Sequence, residues 1–179
     1  MSNLSNVALL LLRLSLGLVV IGHGVQKVSF RLGGGGLAKE AAILTQDGVR
    51  GGRLSAAASG VTQIGAGLLC CLGLLTPLGA AGVIGVMIVA SSTKLEHGFW
   101  VQNDGTEFPI FLVLSSAILA LGGPGAWSLD HLVGIDPTTL TSVGAIGLGL
   151  VSGAASVPLL RQRRPASAGG SPEEVTVAP

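Results

Sequence analysis

The feature that most restricts this chain is the run from Leu4 to Gly22, which carries a single charge, Arg13. At about 1.5 Å per helical residue such a run nearly crosses the ~30 Å hydrocarbon core of a bilayer. Further apolar runs follow at Leu54 to Leu75, Leu78 to Ser92, Phe108 to Leu121 and Leu140 to Leu160. Only 11% of the 179 residues are charged, against roughly 25% in soluble domains, so the charges could not cover a globular surface. The expected fold class is all-α: an integral membrane protein with four spans and a candidate fifth at Leu140 to Leu160.

The connections are as informative as the spans. Ser29 to Arg53 holds four basic residues and the glycines Gly33 to Gly36. Four consecutive glycines forbid a stable helix, and no Gly-Lys-Ser/Thr ending makes them a phosphate loop. The expectation is a kink, then a short surface helix over Leu37 to Gln46. Thr76-Pro77 is expected to make the turn between the second and third spans. The span from Phe108 is short, so it must tilt, sit in a thinned bilayer or continue into the preceding loop. Trp127 to Pro137 reads as interfacial, with Trp127 an aromatic anchor. Residues 161–179, rich in Pro, Ala, Ser, Gly and Glu, are expected to be a disordered cytoplasmic tail.

No cleavable leader is expected, because Met1 to Asn6 has no basic residue. A net charge of +1 gives no reason to expect nucleic acid. Adjacent Cys70 and Cys71 have Cα atoms only about 3.8 Å apart, too close for an ordinary disulfide. With five spans, the basic loops collect on one side, which the positive-inside rule makes cytoplasmic.

A charge at bilayer depth costs about 2.5–3.5 kcal/mol even on a lenient scale. Arg13 should therefore face inward, with Gln63, at similar depth, or Glu107 as its partner. Alternation of the spans also puts the exit of the first helix on the same face as the stretch Glu96 to Pro109. His23, Gln26 and Lys27 can then approach His97, Phe99, Trp100, Gln102, Asn103 and Glu107. The bland readings are interfacial anchors for Phe99 and Trp100, hydrogen-bonded histidines rather than haem ligands, and a dipole role for Glu107. His131, beside Asp130, reads as surface. Nucleophile elbow, HExxH and CxxC signatures are all missing, so no catalytic residue can be assigned, and no metal site is expected.

The chain resembles the DoxX family of small bacterial and archaeal membrane proteins. The likeness is carried by Leu12-Arg13-Leu14, His23-Gly24-Val25-Gln26-Lys27, Gly33 to Gly36, Leu72-Gly73-Leu74-Leu75-Thr76 and, most specifically, Gly98-Phe99-Trp100 with Asn103, Gly105, Glu107 and Pro109. It closes at Gly123-Pro124-Gly125 and Ser128-Leu129-Asp130. The resemblance implies an integral membrane four-helix bundle over residues 1–131, with 132–160 an additional fifth, apolar helix at the carboxyl end. The family often has an acid in the second span where this chain has Gln63, which puts a proton relay there in doubt.

The resemblance implies a multi-pass protein of a bacterial or archaeal plasma membrane. Relatives take part in thiosulfate:quinone oxidoreductases or in oxidative-stress and thiol-redox complexes. The expected role is a subunit of such an assembly, an accessory to a quinone-linked oxidoreductase. His23, Gln26, Lys27, His97, Phe99, Trp100, Asn103 and Glu107 would line a quinone or substrate pocket, and Arg13 and Gln63 would be the intramembrane polar pair. Quinone is the one cofactor considered; soluble redox enzymes, the bilayer and a second copy of the chain are the partners. The alternatives are a non-enzymatic scaffold recruiting soluble proteins and a small-solute transporter.

Overall fold

A computed structural model describes residues 2–161; the tail expected over 161–179 lies outside the described residues except for Arg161. Among the described residues seven α-helices follow one another: α1 (Asn3–Val28), α2 (Gly36–Gln46), α3 (Arg53–Leu72), α4 (Thr76–Lys94), α5 (Glu107–Gly122), α6 (Leu129–Leu132) and α7 (Thr139–Leu160). Four of them, α1, α3, α4 (with the turn that follows it) and α7, are long and apolar enough to cross a membrane. At 16 residues, α5 reaches only about 24 Å at 1.5 Å per residue. It nevertheless runs the length of the bundle. Phe108 at its start packs on His23 near the end of α1, with ring centroids 5.3 Å apart, and Gly122 at its end meets Leu9 near the start of α1.

Glycine sets how closely these helices approach. A Cβ on Gly67 would sit 2.7 Å from the Gly17 carbonyl oxygen, and one on Gly24 would sit 2.7 Å from the Gly60 oxygen. The pairs are seven residues apart on each helix, two turns on one face, so α1 and α3 pack antiparallel with backbones nearly touching. The same device joins α7 to α4. Gly149 lies against the Ala81 carbonyl and Gly153 against that of Gly85, each 2.8 Å from where a Cβ would stand. Both contacts advance together along the chain, so α4 and α7 are parallel. Gly149 and Gly153 are thus used between helices of one chain, whereas Gly144 and Gly147 face nothing within 4 Å.

The core lies between α1, α3, α4 and α5, around Leu16, Val20, Cys70, Val83, Met87, Leu112 and Leu119. Exposed Leu, Val, Ile and Phe side chains cover the outer faces of the long helices, the expected outcome where the solvent is hydrocarbon.

Two expectations are corrected. The turn after α3 comes three residues before the Thr76-Pro77 pair: Gly73 (φ 61) and Leu75 (φ 46) are left-handed. Thr76 and Pro77 instead start α4, where proline's missing N–H costs nothing. Arg13 and Gln63 also do not share a depth. The α1–α3 register places Arg13 opposite the end of α3, where a Cβ on Gly73 would collide with its guanidinium, and Gln63 near the level of Ile21.

Candidate functional site

The ends of α1, α4 and α7 and the starts of α3 and α5 lie on one face of the bundle. Lys27, Arg31, Lys39, Arg50, Arg53, Lys94 and Arg161 all belong to these ends or their connections, so we call it the basic face. A groove of about 510 Å³ lies behind it. Its floor is α4, with Gly82, Gly85, Val86 and Val89. Ser55, Ser59 and Thr62 of α3 form one wall, and Ser152 and Ser156 of α7 the other. Spacings of three and four keep each set on one helix face. The Ser55 hydroxyl donates to the Arg50 carbonyl at 2.5 Å, and Ser156 donates to the Ser152 carbonyl at 2.7 Å. These protons are committed to backbone, leaving oxygen lone pairs to accept.

Over the groove lies α2, contributing Glu40, Ile43 and Leu44, with Asp47 just beyond its end. Lys27 at the end of α1 pairs with Glu40 at 2.5 Å. On the far side Lys94 pairs with Asp104, and His97 Nδ1 stands 3.8 Å from the same carboxylate. Burial pushes the Asp47 carboxyl above the usual Asp range; Asp104 and Glu40 push the same way, while Lys94 and His97 oppose it. The charged groups lining the groove are Lys27, Glu40, Asp47 and Lys94, two of each sign. Such a site favours a neutral amphiphile over an anion.

The residues singled out from sequence divide between three places. His23, Gln26 and Lys27 line a smaller cavity of about 220 Å³ with the glycines Gly33 to Gly36. The Gln26 amide donates to the Leu32 carbonyl at 2.7 Å, fixing the glycine loop to the end of α1. Only Lys27 also reaches the larger groove. The second place is the loop 95–106, which folds back on itself. Glu107 accepts from the Val101 N–H at 2.9 Å, and the Glu107 N–H donates to the Phe99 carbonyl at 2.8 Å. Glu107 thus closes a loop. Phe99 and Trp100 stack edge-on at 5.3 Å, and both are exposed, as are His97 and Asn103. His23, on Phe108, is the link between the two groups; no hydrogen bond, ion pair or ring contact joins Trp100 or Asn103 to His23, Gln26 or Lys27 among the described residues.

The third place is the opposite end of the bundle. Arg13 is buried, as expected, but neither Gln63 nor Glu107 is its partner. It donates to the Pro124 carbonyl at 3.0 Å and to the Trp127 carbonyl, because the register brings it level with the segment between α5 and α6. Asn6 steadies the same segment, accepting from the Ala126 N–H at 3.1 Å. Gln63 is buried, and its side-chain oxygen has no hydrogen-bond partner among the described residues.

Asp130 was not singled out. It is fully buried and accepts from the Leu75 N–H at 2.7 Å, the Thr76 N–H at 2.9 Å and the Thr76 hydroxyl at 2.8 Å. A carboxylate there caps the start of α4, where the first amides lack helical partners. His131 beside it is exposed. The hydroxyl walls of the groove were missed as well. Serines and threonines four apart inside apolar runs were the available signal. Among the described residues no group of three or more His, Cys, Asp or Glu side chains could hold a metal ion.

Residues 8–103 match the DoxX family. An uncharacterised membrane protein of Mycobacterium tuberculosis is 29% identical over 133 residues, covering 67% of this chain and 77% of the relative. No solved structure matches the chain. The family match takes in α1 to α4, the groove's floor and one wall, and the Gly98-Phe99-Trp100 loop: the chain belongs to the DoxX family.

Proposed function

We propose that this DoxX protein is a membrane subunit of a redox assembly and that its groove holds an isoprenoid quinone. The observation that carries the reading is the groove itself. It is large enough for a substituted ring, apolar along α4, hydroxyl-walled, and electrically balanced by Lys27, Glu40, Asp47 and Lys94. Small-molecule sites have this character, mostly apolar with a few placed polar groups. When bound, a quinone would supply two-electron acceptor chemistry. The chain's part is to hold it: Lys27 and Lys94 are the donors at the basic face, and the valines of α4 exclude water from the ring. His97, Phe99, Trp100, Asn103 and Glu107 then belong to the surface beside the covered end of the groove, where a soluble electron donor would dock.

Purification in mild detergent followed by solvent extraction and chromatography tests the reading. Wild-type protein should retain quinone, and Thr62→Trp, which projects an indole from the α3 wall into the groove, should lose it. Absence of quinone from the wild type, or equal retention by the variant, would overturn the proposal.

A further inference from the structure

The groove has two boundaries of different kinds. Towards the basic face it is covered by α2, the one wall element that does not run along the bundle. Beyond α2 the linker is fastened to the end of α7, the Arg50 N–H donating to the Leu160 carbonyl at 2.6 Å and Val49 bridging Arg161. Sideways, nothing comparable closes it among the described residues. Helices α3 and α7 each pack extensively on α4 but share no comparable interface with one another, so their facing hydroxyl rows stand apart with the floor of α4 between them. In a bilayer that gap opens into lipid.

The cover is set off from the bundle by glycines at both ends. Left-handed glycines flank α2 on both sides, Gly33 (φ 76) before it and Gly36 (φ 67) at its first residue, then Gly48 (φ 76), Gly51 (φ 95) and Gly52 (φ 51) after it. Glycine alone adopts such conformations without strain. Among the described residues, the one salt bridge from α2 to the bundle is Lys27–Glu40, at 22% and 16% side-chain exposure. That pair is shielded enough to hold and wet enough to break.

We infer that the gap between α3 and α7 is a lateral port through which a neutral, bilayer-dissolved amphiphile enters the groove, while α2, latched by Lys27–Glu40, seals the groove from water. The inference rests on the groove being a ligand site, but its geometry can be measured with no ligand present. A lipid-soluble molecule reaches its binding groups without crossing the headgroup layer. Water and ions stay out while it is bound.

Nitroxide spin labels at Ser59→Cys and Ser156→Cys, in a Cys70→Ala/Cys71→Ala background reconstituted in phosphatidylcholine vesicles, report both boundaries. Oxygen, which partitions into lipid, and the water-soluble chelate nickel(II) ethylenediaminediacetate are the collision probes. Oxygen should dominate at both sites. Adding Glu40→Gln should raise nickel accessibility at least threefold, and the charge swap Lys27→Glu/Glu40→Lys should return it to the starting value. Should the cysteine-free background not fold, peptide-mapped labelling of the same sites in the otherwise native chain, by N-ethylmaleimide against a cationic methanethiosulfonate, reads the same contrast. Nickel or cationic reagent reaching the groove freely in the latched protein overturns the inference, as does a Glu40→Gln variant with unchanged access. Failure of quinone to co-purify would leave these results untouched, so the two claims fail separately.

Discussion

Asp130 shows how one carboxylate can organise an end of a membrane bundle. Its two oxygens take three donors from the start of α4, while its own N–H donates to the Gly73 carbonyl at 2.8 Å. One residue therefore ties α6 to the α3–α4 turn. Removing a buried acceptor leaves its donors unsatisfied, at about 1–3 kcal/mol each. Asp130→Ala should lower stability by on the order of 3 kcal/mol, seen as a lower melting temperature in detergent, with Asp130→Asn intermediate because one oxygen survives. Equal melting of all three proteins would refute the capping role. Asp47 offers a test by pH. Its folded carboxyl titrates above the ordinary range, so the folded state favours the protonated form. The group withdraws stability as pH rises from the ordinary Asp value, about 4, through the raised one, and the loss persists at neutral pH. Asp47→Asn should melt higher than wild type at about pH 7, and the difference should vanish below about pH 4; a difference that does not change with pH would show that no such shift exists. At this scale the sequence was half legible. The inward turn of Arg13 followed from the cost of exposing charge to lipid, but its partners are the carbonyls of Pro124 and Trp127. Backbone acceptors have no residue type, so no pattern of side chains could point to them.

Helices were the most legible level, since an apolar run of bilayer length has few alternatives. What stayed hidden was register, and register moved Arg13 and Gln63 to different depths. It is set by the Gly17–Gly67 and Gly24–Gly60 contacts. A chain with 29 glycines gives no sign of which ones face a partner. The structure separates them. Gly67→Ala places a methyl 2.7 Å from the Gly17 oxygen and must push α1 and α3 apart, at about 1–3 kcal/mol for such overpacking. At Gly65, two positions away, an added methyl group would have nothing within 4 Å. Gly65→Ala should therefore be neutral or mildly stabilising, by up to about 1 kcal/mol from helix propensity. Denaturant titration of both variants in detergent decides it, and a Gly67→Ala as stable as Gly65→Ala would remove the close-packed interface from the account.

Five helices of alternating direction give the whole molecule a sidedness that four would not. Parallel packing of α7 on α4 carries the chain back to the basic face, so Arg161 returns beside Arg50 and Val49. Lys27, Lys39, Lys94 and Arg161 are then on one side. Among the described residues the connections at the other end, 73–75 and 123–138, carry no Lys or Arg. Positive charge is retained on the cytoplasmic side of bacterial membranes. The resulting prediction concerns orientation and depends on α5 crossing despite its length. A green fluorescent protein fused after the last residue should fluoresce, and alkaline phosphatase at the same position should be inactive. Fusions within 134–137, between α6 and α7, should give the reverse. The groove raises the stakes of that measurement, because its covered end lies at the basic face: the side that fluoresces is the side from which a soluble electron donor would have to approach Lys94, His97 and Asp104. An active phosphatase at the carboxyl end would put that face outside the cell, and a cytoplasmic donor would no longer fit the proposed role.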